Sequence, residues 1–253
     1  MSEESQIKLP TVVSIAFETN GKGCMGFIVE LPGAFVRGRT EEEAIAKVNR
    51  EVNLYLKWLT LEQKHDYTIE VVQIHRSSLM VEDADNEILL DVDKKMLDEE
   101  EFQSLINLVW DSGETFFNLF SSSKFKDWID KARVRKTFYG ENPKTIQEIF
   151  SHVKDCQHYY LSRTGITSEE KEEDFIKTRE FCLAEIEKIY HKNNNSLIFN
   201  VESELWTLKK ILRRFIWHDR IHGKAITRIL EKQRQLEVID EFNDPFHFME
   251  KAL

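Results

Sequence analysis

The hydrophobic period of the chain changes part-way along. Up to about residue 75, apolar side chains alternate or fall in short β-branched runs. From about residue 98 they recur every three or four positions. Pro10–Glu18 reads as a strand bounded by Asn20-Gly21, and Phe27–Leu31 reads as a second, so Asn20-Gly21 predicts a hairpin between them. Pro32-Gly33 closes the second strand, and Ala34–Val36 makes a short third. Thr40 followed by Glu43 has the form of a capping box. The helix it opens runs to about Leu59, with Ala44, Ile45, Val48, Val52, Tyr55 and Leu56 on its apolar stripe. Tyr67–His75 returns to strand.

Val81–Glu101 is strongly acidic and reads as a solvated connector, with Glu87–Leu90 as a short strand inside it. The change of period across this stretch predicts two domains: an α+β unit at 1–95 and an all-α unit at 96–253. Four helical patterns fill the second. The first spans about Asp98–Ser121. The second opens near Pro143 and runs to about Arg163. The third begins at a capping box of Thr167 and Glu170 and runs to about His191. The fourth extends from about Val201 to Gln235, with Asn200 as its N-cap. Four amphipathic helices joined by one long first connection predict a four-helix bundle.

Composition narrows the function. A hydrophobic share of 41% supports a packed core. There is no apolar run of membrane-spanning length, and Met1–Ser5 lacks the basic and apolar regions of a signal peptide. The expectation is a cytoplasmic protein without a membrane partner. Cys24, Cys156 and Cys182 are scattered, which argues against a disulfide framework and a cysteine zinc finger. The net charge of −10 disfavours nonspecific nucleic-acid binding, which depends on neutralising phosphates. Gly21–Gly26 matches G-x-G-x-x-G, but a strand pattern follows it where a dinucleotide site needs a helix N-terminus.

The candidate chemistry lies in the helical part. His218 and His222 are four apart late in the longest helical pattern, so both imidazoles leave one face. His152, in the second pattern, supplies a third ligand if a bundle turns the two helices together. Three neutral imidazoles suit zinc, nickel and other late first-row ions and leave a coordination position open. Asp155 and Cys156 follow His152 by one turn, and either closes the shell if it ligates. Arg214 lies one turn before His218, placed to bind an anionic group. Asp155 and Tyr159 share the His152 face as a supporting residue or proton carrier. For these three the competing reading is an ion pair or core packing. His65, His75, His158, His191 and His247 read as surface or packed residues.

Two resemblances add to this. The run Gly26–Gly33, with Gly38, Thr40 and Glu43-Ala44-Ile45, resembles the HicB-like antitoxin fold over residues 10–75. That resemblance implies a partial RNase H-like domain that binds a protein partner. Pro143–Val153 and His218–Ile226 resemble the DinB/YfiT-like family over roughly residues 98–235. This resemblance implies a four-helix bundle, a divalent transition metal on His152, His218 and His222, and a homodimer. Its characterised members include thiol-dependent S-transferases, thiol-dependent isomerases and metal-dependent hydrolases. The expected function is a metal-dependent reaction on a small-molecule substrate, with a low-molecular-weight thiol as cosubstrate in the transferase case. The alternative is a regulatory interaction protein, with a structural or sensory metal and a partner held by the HicB-like domain.

Overall fold

A computed structural model describes residues 11–63, 66–137, 140–167 and 174–249. The N-terminal part is α+β. Strands β1 (Val12–Thr19), β2 (Cys24–Ile28) and β3 (Phe35–Gly38) precede helices α1 (Glu41–Ile45) and α2 (Val48–Trp58), and β4 (Thr68–Arg76) follows. The sheet order is β3-β2-β1-β4, with β4 parallel to β1 and the other pairs antiparallel. Gly21–Gly26 lies in the β1–β2 hairpin, as the strand pattern implied. Val13, Ile15 and Phe17 point to one face of β1 and pack with Val48, Val52 and Tyr55. Ala16 points to the other face, where Met25, Phe27 and Phe35 meet Val81, Ile88, Leu90 and Trp217. The single helix expected from Thr40 to Leu59 is broken at Ala46-Lys47. Lys47 Nζ reaches back 2.5 Å to the Arg37 carbonyl and ties the break to β3.

The acidic stretch is not the solvated connector its charge suggested. It folds over the second sheet face through two short 3-10 turns, Val81–Asp83 and Asp91–Lys94. The buried Glu18 carboxylate of β1 accepts the N–H groups of Glu87 and Ile88 at 3.1 and 3.0 Å. Those bonds hold Glu87–Leu90, and no strand forms there. Asp93 is fully buried and pairs with Arg213 at 2.6 Å.

The C-terminal part is helical. It contains α3 (Glu99–Ser122), the small hairpin β5 (Lys136–Thr137) and β6 (Gly140–Glu141), and α4 (Ile146–Ser162). Helix α5 (Phe175–Asn193), the hairpin β7 (Phe199–Val201) and β8 (Glu204–Trp206), and α6 (Leu208–Gln235) complete it. Helix α4 starts later than Pro143 suggested, because Thr145 and Glu148 form the capping box. The box expected at Thr167 and Glu170 reaches into 168–173, outside the described residues; α5 begins after the N-cap Asp174. Asn200 does not cap the last helix. Glu202 and Ser203 take positive φ (55° and 68°), the turn that closes a two-residue hairpin, and Thr207 caps α6 instead. Helix α3 packs on α5 and α6, and α4 packs on α5 and α6. Their shared core includes Phe102, Val109, Tyr160, Cys182, Leu212 and Phe215.

Helix α6 touches both parts of the chain. Gly33 (φ +85°) turns the β2–β3 connection onto it, so closely that an added Cβ would lie 2.5 Å from Ile216. On another side, Gly223 admits the C-terminal segment; a Cβ there would lie 2.8 Å from the Phe246 ring. Gly223 therefore makes its close packing with that segment. On a third side, Asp219 and Arg179 of α5 form a two-pronged ion pair at 2.9 Å, each side chain 1% exposed. Ser112 of α3 donates to Asp219, and Arg179 donates to Gln157 of α4 and the Val109 carbonyl of α3. All four long helices thus meet at one satisfied charge pair. Arg179→Met is expected to cost about 3–5 kcal/mol in denaturant unfolding, because it strands a buried carboxylate. A double Arg179→Met/Asp219→Leu variant should recover most of that loss.

Candidate metal centre

The spacing argument places His152 on α4 and His218 and His222 on α6, and packing of these helices brings the three rings together. His152 and His218 present their Nε2 atoms to each other at 3.2 Å. Ring centroids are separated by 5.0 Å (His152–His218), 4.7 Å (His152–His222) and 4.4 Å (His218–His222). One ligand nitrogen from each lies within 4.8 Å of the others. His218 is buried and the other two are half-buried. Tyr160 packs edge-on against His218 at 5.5 Å and fixes its ring.

The surroundings keep these rings neutral. Burial lowers all three pKa values, and for His222 the value falls to about 3 with help from His152. The neighbouring histidines, Arg214 and Arg179 push His218 down further. Asp155 opposes the shift at His152 but does not reverse it. Three unprotonated imidazoles converging at these distances have the donor chemistry of a late first-row divalent site, in which zinc–nitrogen bonds are about 2.0–2.1 Å.

The other sequence candidates are placed less centrally. Cys156 Sγ lies 3.8 Å from His152, and burial pushes its thiol up to about 12. Neither Cys156 nor Asp155 belongs to the group of mutually close ligand atoms. Asp155 is exposed on α4. Tyr159 packs on Tyr160 and Trp206, with the Arg163 guanidinium 4.2 Å above its ring. Arg214 is buried, hydrogen-bonded to Asn86 and stacked 4.7 Å from Trp217. A second cluster, Glu18, His75 and Glu87, has suitable atoms, but the Glu18 oxygens are already used by the backbone N–H groups of Glu87 and Ile88.

Sequence reasoning missed the cavity beside the triad. It has a volume of about 320 Å³ and is walled by Ile149, His222 and Ala225, with Arg37, Arg135 and Arg228 at its sides. These arginines come from β3, the loop before β5 and the end of α6, so no local motif joins them. Helical spacing gave no signal for Arg228 either, since six residues beyond His222 is about 120° away around the same helix. No family model matches the chain, and no curated protein matches it in sequence.

The lowered histidine pKa values have a consequence for stability. Between about pH 3 and the ordinary histidine value near 6.5, the unfolded metal-free chain binds protons that the folded chain refuses. Stability is therefore expected to fall as pH drops below about 6.5, by roughly 2–3 kcal/mol at about pH 4.5 from His222 alone. Denaturant titrations of chelator-treated protein should show this slope, and His222→Leu should flatten it.

Proposed function

We propose that this chain is a divalent-metal-dependent enzyme acting on a small molecule, with His152, His218 and His222 holding the ion. In this reading α3–α6 form a four-helix bundle of the DinB/YfiT-like type, following a HicB-like domain that ends near residue 95. The observation that carries it is the convergence of three neutral imidazoles beside a cavity, within a set that contains no carboxylate. Zinc or nickel fits this donor set best. Bound there, the cation supplies Lewis acidity that makes a thiol or water nucleophilic near neutral pH. S-transfer to or from a low-molecular-weight thiol, or hydrolysis, is the reaction class that follows.

The residues of the chain do the rest. Tyr160 holds the His218 ring, and the fixed charge of Arg214 disfavours its protonation. Asp155, whose charge acts on His152, is the proposed proton carrier at the exposed side of α4. Burial keeps Cys156 a neutral thiol in the metal-free protein.

Metal analysis after reconstitution tests the site. The wild type should hold about one equivalent, and His218→Ala should lose more than the roughly 10–100-fold in affinity typical of removing a supporting partner. Its far-UV circular dichroism should stay helical, because apolar packing carries the helices. Equal binding by the wild type and the His152, His218 and His222 alanine variants would remove the basis for the enzyme.

One observation favours a second reading, in which the N-terminal part binds protein. Strand β4 is a sheet edge, and Val72 and Ile74 on it are each 48% exposed. An edge of this kind is a template for strand addition. Applied to a second copy of the chain, it predicts a homodimer by sedimentation at micromolar concentration, shifted toward monomer by Val72→Lys. A wild-type monomer under those conditions would refute it.

A further inference from the structure

An open groove of about 580 Å³ runs along the seam between the two parts of the chain, and no residue of the histidine triad lines it. The segment after β2 forms one wall and the first turns of α3 form the other. Its apolar lining is Val29, Pro32, Val92, Met96, Leu105 and Leu108. The two leucines are buried, whereas Met96 stands 60% exposed. Methionine is flexible and polarizable, so it packs well against a partner of irregular shape. Apolar surface with a polar rim is the usual form of an interaction site.

The rim is acidic. Glu30, Asp98, Glu100 and Glu101 face Lys95 and Lys209 around the groove. Lys209 is spent on Glu101 in an ion pair. Glu30, Asp98 and Glu100 have no cation within ion-pair distance among the described residues, and Lys95 is the one lining cation left to balance them. Negative charge in the first turn of α3 offsets the helix dipole, which accounts for Glu99–Glu101. It does not account for Glu30 on the other wall. That carboxylate accepts the Ser14 N–H at 3.2 and 3.0 Å, and a bond from a neutral donor leaves its charge in place. Both walls therefore carry negative charge above an apolar floor. A bare metal ion would leave the floor unused. A nucleic acid would be repelled, and so would a second copy of a chain whose net charge is −10.

We propose that this groove is the docking site for a short basic segment of another protein. Its lysine or arginine side chains reach Glu30 on one wall and Asp98 and Glu100 on the other, and its apolar side chains cover Met96, Leu105 and Leu108. Potentials of opposite sign would steer the segment in, and burial of the apolar floor would hold it. The site does not depend on the metal reading.

Fluorescence anisotropy with a labelled peptide of lysine and leucine in a helical pattern tests this on the full chain. Two reference peptides replace its leucines by serine or its lysines by glutamate. The wild type should bind the lysine–leucine peptide with a Kd below about 100 μM and both references more weakly. Glu100→Lys should weaken binding about fivefold or more, and Met96→Ser about threefold. Glu180→Lys makes the same charge change on the exposed side of α5, outside the groove, and should leave binding unchanged. A wild-type Kd above about 100 μM would overturn the proposal. So would equal weakening by Glu180→Lys, or equal binding of the serine peptide, because the attraction would then belong to the net charge alone. Sedimentation of the unliganded variants covers the remaining occupant: if Met96→Ser or Glu100→Lys alters the oligomeric state, the groove is a contact between copies and the proposal falls.

Discussion

The rotation of α6 about its own axis is the constraint on which the rest depends. His218 and His222 can face α4 only if the neighbouring residues of the helix are held in other directions. Asp219, one residue on, is drawn into the buried pair with Arg179. Arg220 is drawn the other way, to Glu51 of α2, under the rings of Tyr55, Trp58 and Phe248 at 4.6, 5.1 and 5.2 Å. Arg213, nearly two turns earlier, is anchored by Asp93. A helix with a purely apolar surface could slip by one residue at little cost, since one greasy face resembles another. Here a slip would break several buried ion pairs at once, and each broken pair leaves an unpaired buried charge. These pairs give the helix its register more than its stability.

The same charges shape the electrostatics of the triad. Arg214 of α6 and Arg179 of α5 are near enough to His218 to make the site hostile to protons. Hostility to protons is not by itself hostility to a dication, because the lone pairs it leaves free are the ligands. The cost is that a bound ion keeps its charge, because no carboxylate belongs to the group of close ligand atoms. Negative charge is thus the missing element of the site.

How much of this was legible followed from the range of the interactions. The triad was readable because helical spacing is local: His218 and His222 share a face whatever surrounds them. Strands β1 and β4 and the hairpin at Asn20-Gly21 were readable for the same reason, whereas β2 runs Cys24–Ile28 and not Phe27–Leu31. The acidic stretch was misread because Asp93 finds Arg213 120 residues away, and a run of like charge shows nothing of a distant partner. The β7–β8 hairpin was missed because Glu202 and Ser203 are poor residues for positive φ, and their turn is imposed by the surrounding fold. The arginines that line the cavity beside His222 converge only once β3 and α6 are packed.

The C-terminal segment carries a kinetic implication. Arg50 of α2 donates to the Phe248 carbonyl at 2.9 Å, a contact between residues 198 apart, and Phe246 covers Trp58 at 5.4 Å. A ribosome delivers α2 long before it delivers Phe246 and Phe248. Until those residues emerge, the nascent chain therefore leaves this aromatic flank of α2 uncovered. Such surface is what chaperones bind, and the closure that hides it is among the longest loops the chain must form. The step that completes the packing around Arg220 thus waits for Phe246 and Phe248.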